Sequence, residues 1–252
     1  QFRLFQKLLD AGIQPYAEAM IDAAYGSYAE QLGPEHPSAV QMLAQSHWVY
    51  LMKGDIETAL DILDIAQSQM QAVLPAAHAF NQLIAEDQIK ILNQTGRGER
   101  AAAAQQALCT TLADAISPWH QRHLACLDYL AIIEIDRGAL TAAETQLRRG
   151  VELATAAAGK ASERALGMTL RRADVLRKIG DSDAAKTMLS EALDMMPVGS
   201  DTWLRAKVYL VDALIDTAAF DEALAVLTEV EPRARQLWSN NPQNLYSLVG
   251  KQ

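Results

Sequence analysis

Three side chains near the middle of the sequence have the types and spacing of a metal or nucleophile site. His120, His123 and Cys126 follow one another at steps of three, which on a helix places two imidazoles and a thiol on neighbouring parts of one surface and fits part of a zinc-ligand set. His123 also stands close enough to Cys126 to activate a thiolate. Against zinc, no fourth ligand is apparent and Trp119 indicates a packed junction; against a nucleophile, the alternative for Cys126 is a buried thiol. We predict no metal site and no catalytic residue here.

A second cluster is basic and consists of Arg171, Arg172, Arg177 and Lys178. Such a cluster binds an acidic peptide or a phosphate group, unless it is an ordinary solvated helix face. We expect no nucleic acid as the partner, because the chain has 22 basic against 31 acidic side chains and a net charge of −9. Proteins that bind nucleic acids are generally basic.

The usual catalytic and cofactor motifs do not occur in the sequence. It contains no Gly-x4-Gly-Lys-Ser/Thr phosphate loop, no His-Glu-x-x-His metal motif and no Gly-x-Ser-x-Gly nucleophile turn. No apolar run approaches the roughly 18 uncharged residues of a membrane helix. Two cysteines cannot form a disulfide scaffold, and as free thiols they fit a reducing compartment. We therefore predict a cytoplasmic, non-enzymatic protein with no cofactor and no membrane contact.

The strongest pattern in the chain is an internal repeat. Glycine recurs every 42 residues, at Gly12, Gly54, Gly96, Gly138 and Gly180. An alanine stands five residues after each glycine, at Ala17, Ala59, Ala101, Ala143 and Ala185. A sixth unit follows after a step of 38, with Ala223 in the alanine column and Ala218 in the glycine column. Self-similarity at a fixed period is typical of a repeat architecture.

These columns predict pairs of helices. The glycine ends a first helix in the left-handed conformation, aspartate after it caps a second helix, as at Asp55 and Asp181, and the alanine allows two helices to approach closely. The predicted first helices cover residues 2–11, 38–53, 77–94, 119–137, 161–179 and 201–217. The predicted second helices cover residues 15–32, 56–74, 98–115, 140–158, 182–196 and 220–237.

The repeat resembles the tetratricopeptide repeat, most clearly from Gly180 to Leu193 and from Phe220 to Leu227. Its 42-residue length is similar to that of the kinesin-light-chain subtype. The sequence Leu-Gly-Pro-Glu-His-Pro, which ends at Pro37, resembles the junction between repeats in that subtype. We find this junction once, with His36 in a structural role, and interpret His78 as isolated. The resemblance implies an all-α fold, a right-handed α-α superhelix of about six helix-turn-helix units.

The implied repeat array covers residues 1–238, with units near 1–34, 35–75, 76–117, 118–159, 160–198 and 199–238. Residues 239–252 form a tail, in which the stretch from Gln243 to Gly250 fits a short capping helix. The N-terminal unit has no such cap and presents Phe2, Phe5 and Leu9. We therefore expect missing upstream structure or a homodimer contact through this unit.

In the resembled family, the concave face lined by first helices binds partner peptides. Carried over to this sequence, that face gives an expected partner-binding groove of Gln45, Trp48, Met52, Glu86, Lys90, Asn93, Asp128, Tyr129, Arg171, Asp174, Arg177, Lys178, Tyr209 and Asp212. The expected partner is a protein or peptide, and the expected function is that of a non-catalytic scaffold or adaptor. The alternative is a sensory or regulatory domain of a larger signalling protein or transcription regulator that binds a small ligand or peptide.

Overall fold

The structure is a computed structural model that describes residues 14–237. This part of the chain consists of helices and turns and has no strand, which confirms the all-α fold class. The chain divides into two compact units, Gln1–Ile116 and Ser117–Gln252. Between residues 14 and 237, no helix is both long and apolar enough to cross a membrane. The predicted helix at 2–11, the proposed N-terminal dimer contact and the tail at 239–252 lie outside the described residues.

In the first unit, two short helices replace the single helix that the sequence predicts at residues 38–53. The helices of this unit are α1 (Gln14–Leu32), α2 (Pro37–Gln45), α3 (His47–Met52), α4 (Ile56–Val73), α5 (Ala79–Gln94) and α6 (Gly98–Ala115). The interruption falls at Ser46, whose hydroxyl donates to the carbonyl of Leu43 at 2.7 Å, while Nδ1 of His47 donates to the carbonyl of Ala44 at 2.6 Å. Both side chains compete for backbone acceptors of the preceding turn, which weakens the helical ladder there.

In the second unit, one helix is shorter than predicted. The helices are α7 (Gln121–Asp136), α8 (Leu140–Ala158), α9 (Glu163–Ile179), α10 (Ser182–Leu193), α11 (Asp201–Asp216) and α12 (Phe220–Leu237). The end of α10 at Leu193 instead of residue 196 has a local cause. The N–H groups of Met195 and Met196 donate three residues back, to Ala192 and Leu193, and Pro197 disfavours helical backbone before it. The other bounds agree with the prediction to within about two residues.

The first helices between residues 14 and 237 end in the same backbone motif. At Gly180, which has φ 98°, the glycine N–H donates to the carbonyl of Arg177 and the next N–H, of Asp181, donates to the carbonyl of Leu176, both at 2.9 Å. The same pair of bonds recurs at the other described turns of the glycine column. They form a Schellman motif, which satisfies the last carbonyls of the helix and favours glycine at the left-handed position. The left-handed glycine turns are therefore confirmed.

Ala218 is the one non-glycine residue with positive φ among the described residues, at 57°. We expect Ala218→Gly to raise the free energy of unfolding by about 0.5 to 1 kcal/mol. Relief of the left-handed conformation, which costs alanine about 1 to 2 kcal/mol, is partly offset by the greater entropy of glycine in the unfolded chain. Urea denaturation followed by circular dichroism measures the change. Destabilisation would contradict the left-handed backbone at this position.

The junctions between helix pairs also repeat, and three of them use histidine in the same way. Nδ1 of His36, His78 and His120 accepts the backbone N–H two residues later, at 3.2 Å in each case, and so caps the next first helix. Ser162 and Ser200 occupy the same place and cap α9 and α11 through their hydroxyl oxygens. The interpretation of His78 as isolated is therefore wrong, and the junction is a recurrent element with or without proline.

The alanine column lies in the core, as predicted. Ala59, Ala101, Ala143 and Ala185 are fully buried, and Ala223 is 3% exposed. A second close approach joins α8 to α9, where a methyl group added to Gly150 would lie 1.9 Å from Cε of Met168. Met168 is itself 1% exposed. A small residue at Gly150 thus allows α8 and α9 to approach closely.

Candidate functional site

A cavity of about 550 Å³ lies in the second unit, against the first helices α7, α9 and α11. We call it the α7/α9/α11 groove. Its lining residues are Gln121, Asp128, Glu163, Arg164, Gly167, Met168, Leu170, Arg171, Asp201, Thr202, Arg205 and Tyr209. On α9, Arg164, Gly167 and Arg171 fall at helical spacing on one face, because residues three, four and seven apart align along a helix. The groove therefore follows directly from the side-by-side arrangement of three first helices.

Asp128 links two of these helices. Nε of Arg171 donates to its carboxylate at 2.9 Å, and Nη1 of Arg164 lies 3.8 Å from it. The Asp128 side chain is 17% exposed, so this pair is less screened by water than a surface ion pair. The two arginines converge from α9 on one carboxylate of α7 and frame the groove between them.

The groove is lined by charged side chains of both signs. Three carboxylates, of Asp128, Glu163 and Asp201, line it together with three guanidinium groups. Arg205 pairs with Asp201 at 2.8 Å on its own helix. Met168 and Leu170 lie buried beneath the lining, and Tyr209 presents a half-buried ring to the groove. A lining that carries both donors and acceptors suits a peptide, whose main chain offers N–H and C=O groups and whose side chains can carry either charge. It suits a single strong anion less well.

A second charged network lies at the carboxyl-terminal ends of α9 and α11. Arg177 donates to Asp174 at 3.1 Å and to Asp216 at 3.0 Å, and Lys178 pairs with Asp174 at 2.8 Å. Burial opposes the charged form of Arg177, but the hydrogen bonds to Asp216 and Asp174 outweigh it and hold the pKa above its ordinary value. This network fastens α9 to α11.

The basic cluster noticed in the sequence is divided in the structure. Arg171 faces the groove, whereas Nε of Arg172 donates to Glu144 of α8 at 2.9 Å. Arg177 and Lys178 belong to the network at the helix ends. The four cations therefore do not form a single anion site.

Of the residues expected in the groove, the structure brings Asp128, Arg171 and Tyr209 to one cavity. Tyr129 is half-buried, and its pKa is raised by burial and by the negative charge of Asp136. Asp174, Arg177 and Lys178 lie farther along α9 in the charged network, and Asp212 is a half-buried neighbour of it on α11.

In the first unit, the expected groove residues have more varied surroundings. Trp48 and Met52 pack against a cluster of Ala17, Ile21 and Val49, and the Trp48 ring lies 4.8 Å from that of His47. Gln45 borders a cavity of about 20 Å³. The remaining three lie on α5: Lys90, which pairs with Asp87 at 3.7 Å, and the half-buried Glu86 and Asn93. Their use by a partner stays a prediction.

Sequence reasoning missed the amino-terminal half of the groove. Arg164 and Gly167 stand seven and four residues before Arg171, and Arg205 stands four residues before Tyr209. These steps keep a side chain on the same helix face. Extending the face backwards from the two predicted residues would have found all three.

The histidines and cysteines near α7 have structural surroundings. His120 caps α7, and Nδ1 of the buried His123 donates to the carbonyl of Pro118 at 2.7 Å. Cys109 and Cys126 are buried and neither is a free thiol, which corrects the expectation of reduced cysteines. Across residues 14–237, no group of three or more histidine, cysteine, aspartate or glutamate side chains is arranged to hold a metal ion.

Comparison with family models and with curated proteins finds no match. Solved structures do match. Kinesin-light-chain-type TPR-like repeats from Podosopora anserina have a TM-score of 0.65 at 16% identity, with 80% of this chain and 97% of that chain covered. BtubC from P. vanneervenii has a TM-score of 0.65 at 16% identity, with 87% and 90% covered. The apo form of the quorum sensor NprR from B. thuringiensis has a TM-score of 0.62 at 14% identity, with 98% and 67% covered.

These likenesses concern the fold. The chain has a tetratricopeptide-type helical-repeat fold with kinesin-light-chain-like repeats, as the resemblance in its sequence implied.

Proposed function

We propose that the protein is a non-catalytic adaptor whose α7/α9/α11 groove binds a segment of a partner protein. The observation that carries the proposal is the convergence of Arg164 and Arg171 on Asp128 around an open cavity of about 550 Å³. Cavities of roughly 300 to 1,000 Å³ are the usual size of ligand sites. The proposal adds binding to the helical-repeat fold, which by itself implies no particular activity.

The chemistry of the lining supports a peptide as the ligand. Guanidinium groups offer several fixed donors for main-chain carbonyls or carboxylates, and the carboxylates offer acceptors for main-chain N–H groups. The half-buried ring of Tyr209 supplies apolar contact. Because the helices already hold these groups in place, little ordering cost remains when a partner binds.

The test uses peptides enriched on the wild-type chain from a phage library of linear dodecapeptides, with affinity then measured by fluorescence anisotropy. We expect Arg171→Gln together with Arg205→Gln to weaken binding by about tenfold or more, since a lost charge-assisted hydrogen bond costs about 1.5 kcal/mol or more. Arg149→Gln, an exposed arginine on α8, is the matched control and should bind as wild type does. Circular dichroism verifies that helicity is unchanged.

Two outcomes would count against the groove. A library that yields no binding peptide contradicts the proposal outright. A peptide that binds the double variant and the wild type equally well places the binding surface elsewhere on the chain.

A second candidate function is that of a sensory or regulatory module, which binds a peptide or small ligand and alters another domain. The likeness to the apo quorum sensor motivates it. In that case the enriched peptide should change the radius of gyration of the chain in small-angle X-ray scattering. An adaptor of fixed shape should show no such change. Cytoplasmic location stays a prediction in either case, without support from the cysteines.

A further inference from the structure

Gly167 is a glycine that the fold does not require. It lies in the first half of α9, is exposed, and lines the α7/α9/α11 groove. A methyl group added there would meet no atom within 4 Å, and the backbone is helical. Glycine inside a helix is nevertheless unfavourable relative to alanine, because it loses more conformational freedom on folding.

Other glycines of the second unit have evident causes. Gly150 leaves room for Met168, and Gly180 takes a left-handed conformation at a helix end. Neither reason applies to Gly167. What distinguishes it is its position, between Arg164 and Arg171 on the groove face of α9, where any side chain would project into the open space of the cavity.

We propose that Gly167 is the point at which the main chain of an extended partner segment crosses α9. The proposal rests on the proposed function and specifies the conformation of the ligand. An extended segment exposes its backbone at every residue and can lie directly on a surface that has no Cβ atom. A partner helix could also lie against a glycine, but it would present side chains there, because they surround its backbone to a diameter of about 10 Å.

The groups beside Gly167 suit such a main chain. Nη1 of Arg164 lies 3.8 Å from Asp128, beyond hydrogen-bond distance, so its N–H groups can turn to a peptide carbonyl. Across the groove, the Asp128 carboxylate can accept a peptide N–H in addition to the bond from Arg171. A donor and an acceptor thus flank the place where the partner backbone would pass.

The test compares Gly167→Ala with Gly26→Ala. Gly26 is also a helix-interior glycine with open space around its Cβ position, but it lies on α1 and is not part of the groove lining. Both substitutions should raise Tm by about 2 to 4 °C, because each improves helix propensity by about the same amount. Only Gly167→Ala should weaken binding of the library-enriched dodecapeptide, by about fivefold or more, and Gly167→Leu should weaken it further.

The outcomes separate this inference from the proposed function. A peptide that is lost with Arg171→Gln and Arg205→Gln but binds Gly167→Ala and Gly167→Leu as tightly as wild type overturns the crossing point and leaves the groove as the binding site. A peptide whose affinity none of these substitutions changes contradicts both the crossing point and the proposed function. The inference would also be overturned if circular dichroism showed that the bound peptide is helical.

Discussion

Gly150→Ala is expected to lower the free energy of unfolding by about 1 to 2 kcal/mol, although glycine to alanine within a helix normally raises it by about 1 kcal/mol. The added methyl group would lie 1.9 Å from Cε and 2.9 Å from Sδ of Met168. Met168 is 1% exposed, so its thioether must repack among buried neighbours to make room, and it loses part of its present contacts when it does. Chemical denaturation of the wild type and the variant measures the effect.

A double-mutant cycle with Met168→Ala identifies the cause. Met168→Ala alone should cost about 2 to 5 kcal/mol by opening a cavity, and adding Gly150→Ala to it should be favourable, because the clash is gone and the methyl group fills part of the space. Gly26→Ala, which meets no neighbour, should stabilise the chain and serves as the control for helix propensity. Additive effects of the two substitutions would refute the close approach of α8 and α9.

The second large effect is a loss of stability in weak acid that depends on His47. This side chain is 1% exposed, its Nδ1 donates to the carbonyl of Ala44, and its Nε2 is buried without a hydrogen-bond partner. Burial lowers the pKa of His47 below its ordinary value near 6.5, and the bond to Ala44 and the charge of Asp87 only partly oppose this. A proton on Nε2 would create a buried N–H group that has no acceptor.

The sign of the pH dependence follows from this lowered pKa. Above pH 6.5 the ring is neutral in both the folded and the unfolded chain, and the full stability is present. Below pH 6.5 the unfolded chain takes up the proton first, so the free energy of unfolding falls, at a limiting slope of about 1.4 kcal/mol per pH unit, until the folded ring also titrates. Urea denaturation at pH 7.5, 6.5 and 5.5 measures the slope.

His47→Val isolates this contribution. The corresponding positions of later helices hold Ile89, Ala131, Ala173 and Val211, so a small apolar side chain suits the site. The remaining ionisable groups are identical in the two proteins, and the difference between their pH profiles reports on His47 alone. Parallel profiles between pH 7.5 and 5.5 would show that the ring is not desolvated.

The helix pairs could be predicted from the sequence because their determinants are local. Glycine at a left-handed turn and alanine at a close approach are residue types that the backbone itself demands, as Gly180 and Ala185 show. The sequence indicates a structural role only for His36, because the resemblance depends on the proline that follows it. The cap depends instead on an imidazole nitrogen, which His78 and His120 supply equally well.

The candidate site was harder to predict. Arg171 and Arg172 are adjacent in sequence, yet one faces Asp128 of α7 and the other Glu144 of α8, a division that depends on which helices flank α9. The break at Ser46 likewise depends on a competition between side-chain and backbone hydrogen bonds that no periodicity reveals. Gly167 belongs to no sequence pattern, and only the cavity beside it indicates a role in binding.

The turns between helices bear on how far such a sequence can diverge. At the glycine turn the paired bonds join main-chain atoms, and at the junction the N–H of the capping residue donates to a carbonyl three residues earlier, from His36 to Ser200. Backbone bonds of this kind do not depend on most side-chain identities. A chain that retains a few small or capping residues and keeps its buried positions apolar can therefore replace many of its other side chains, which agrees with a shared fold at 14% to 16% identity.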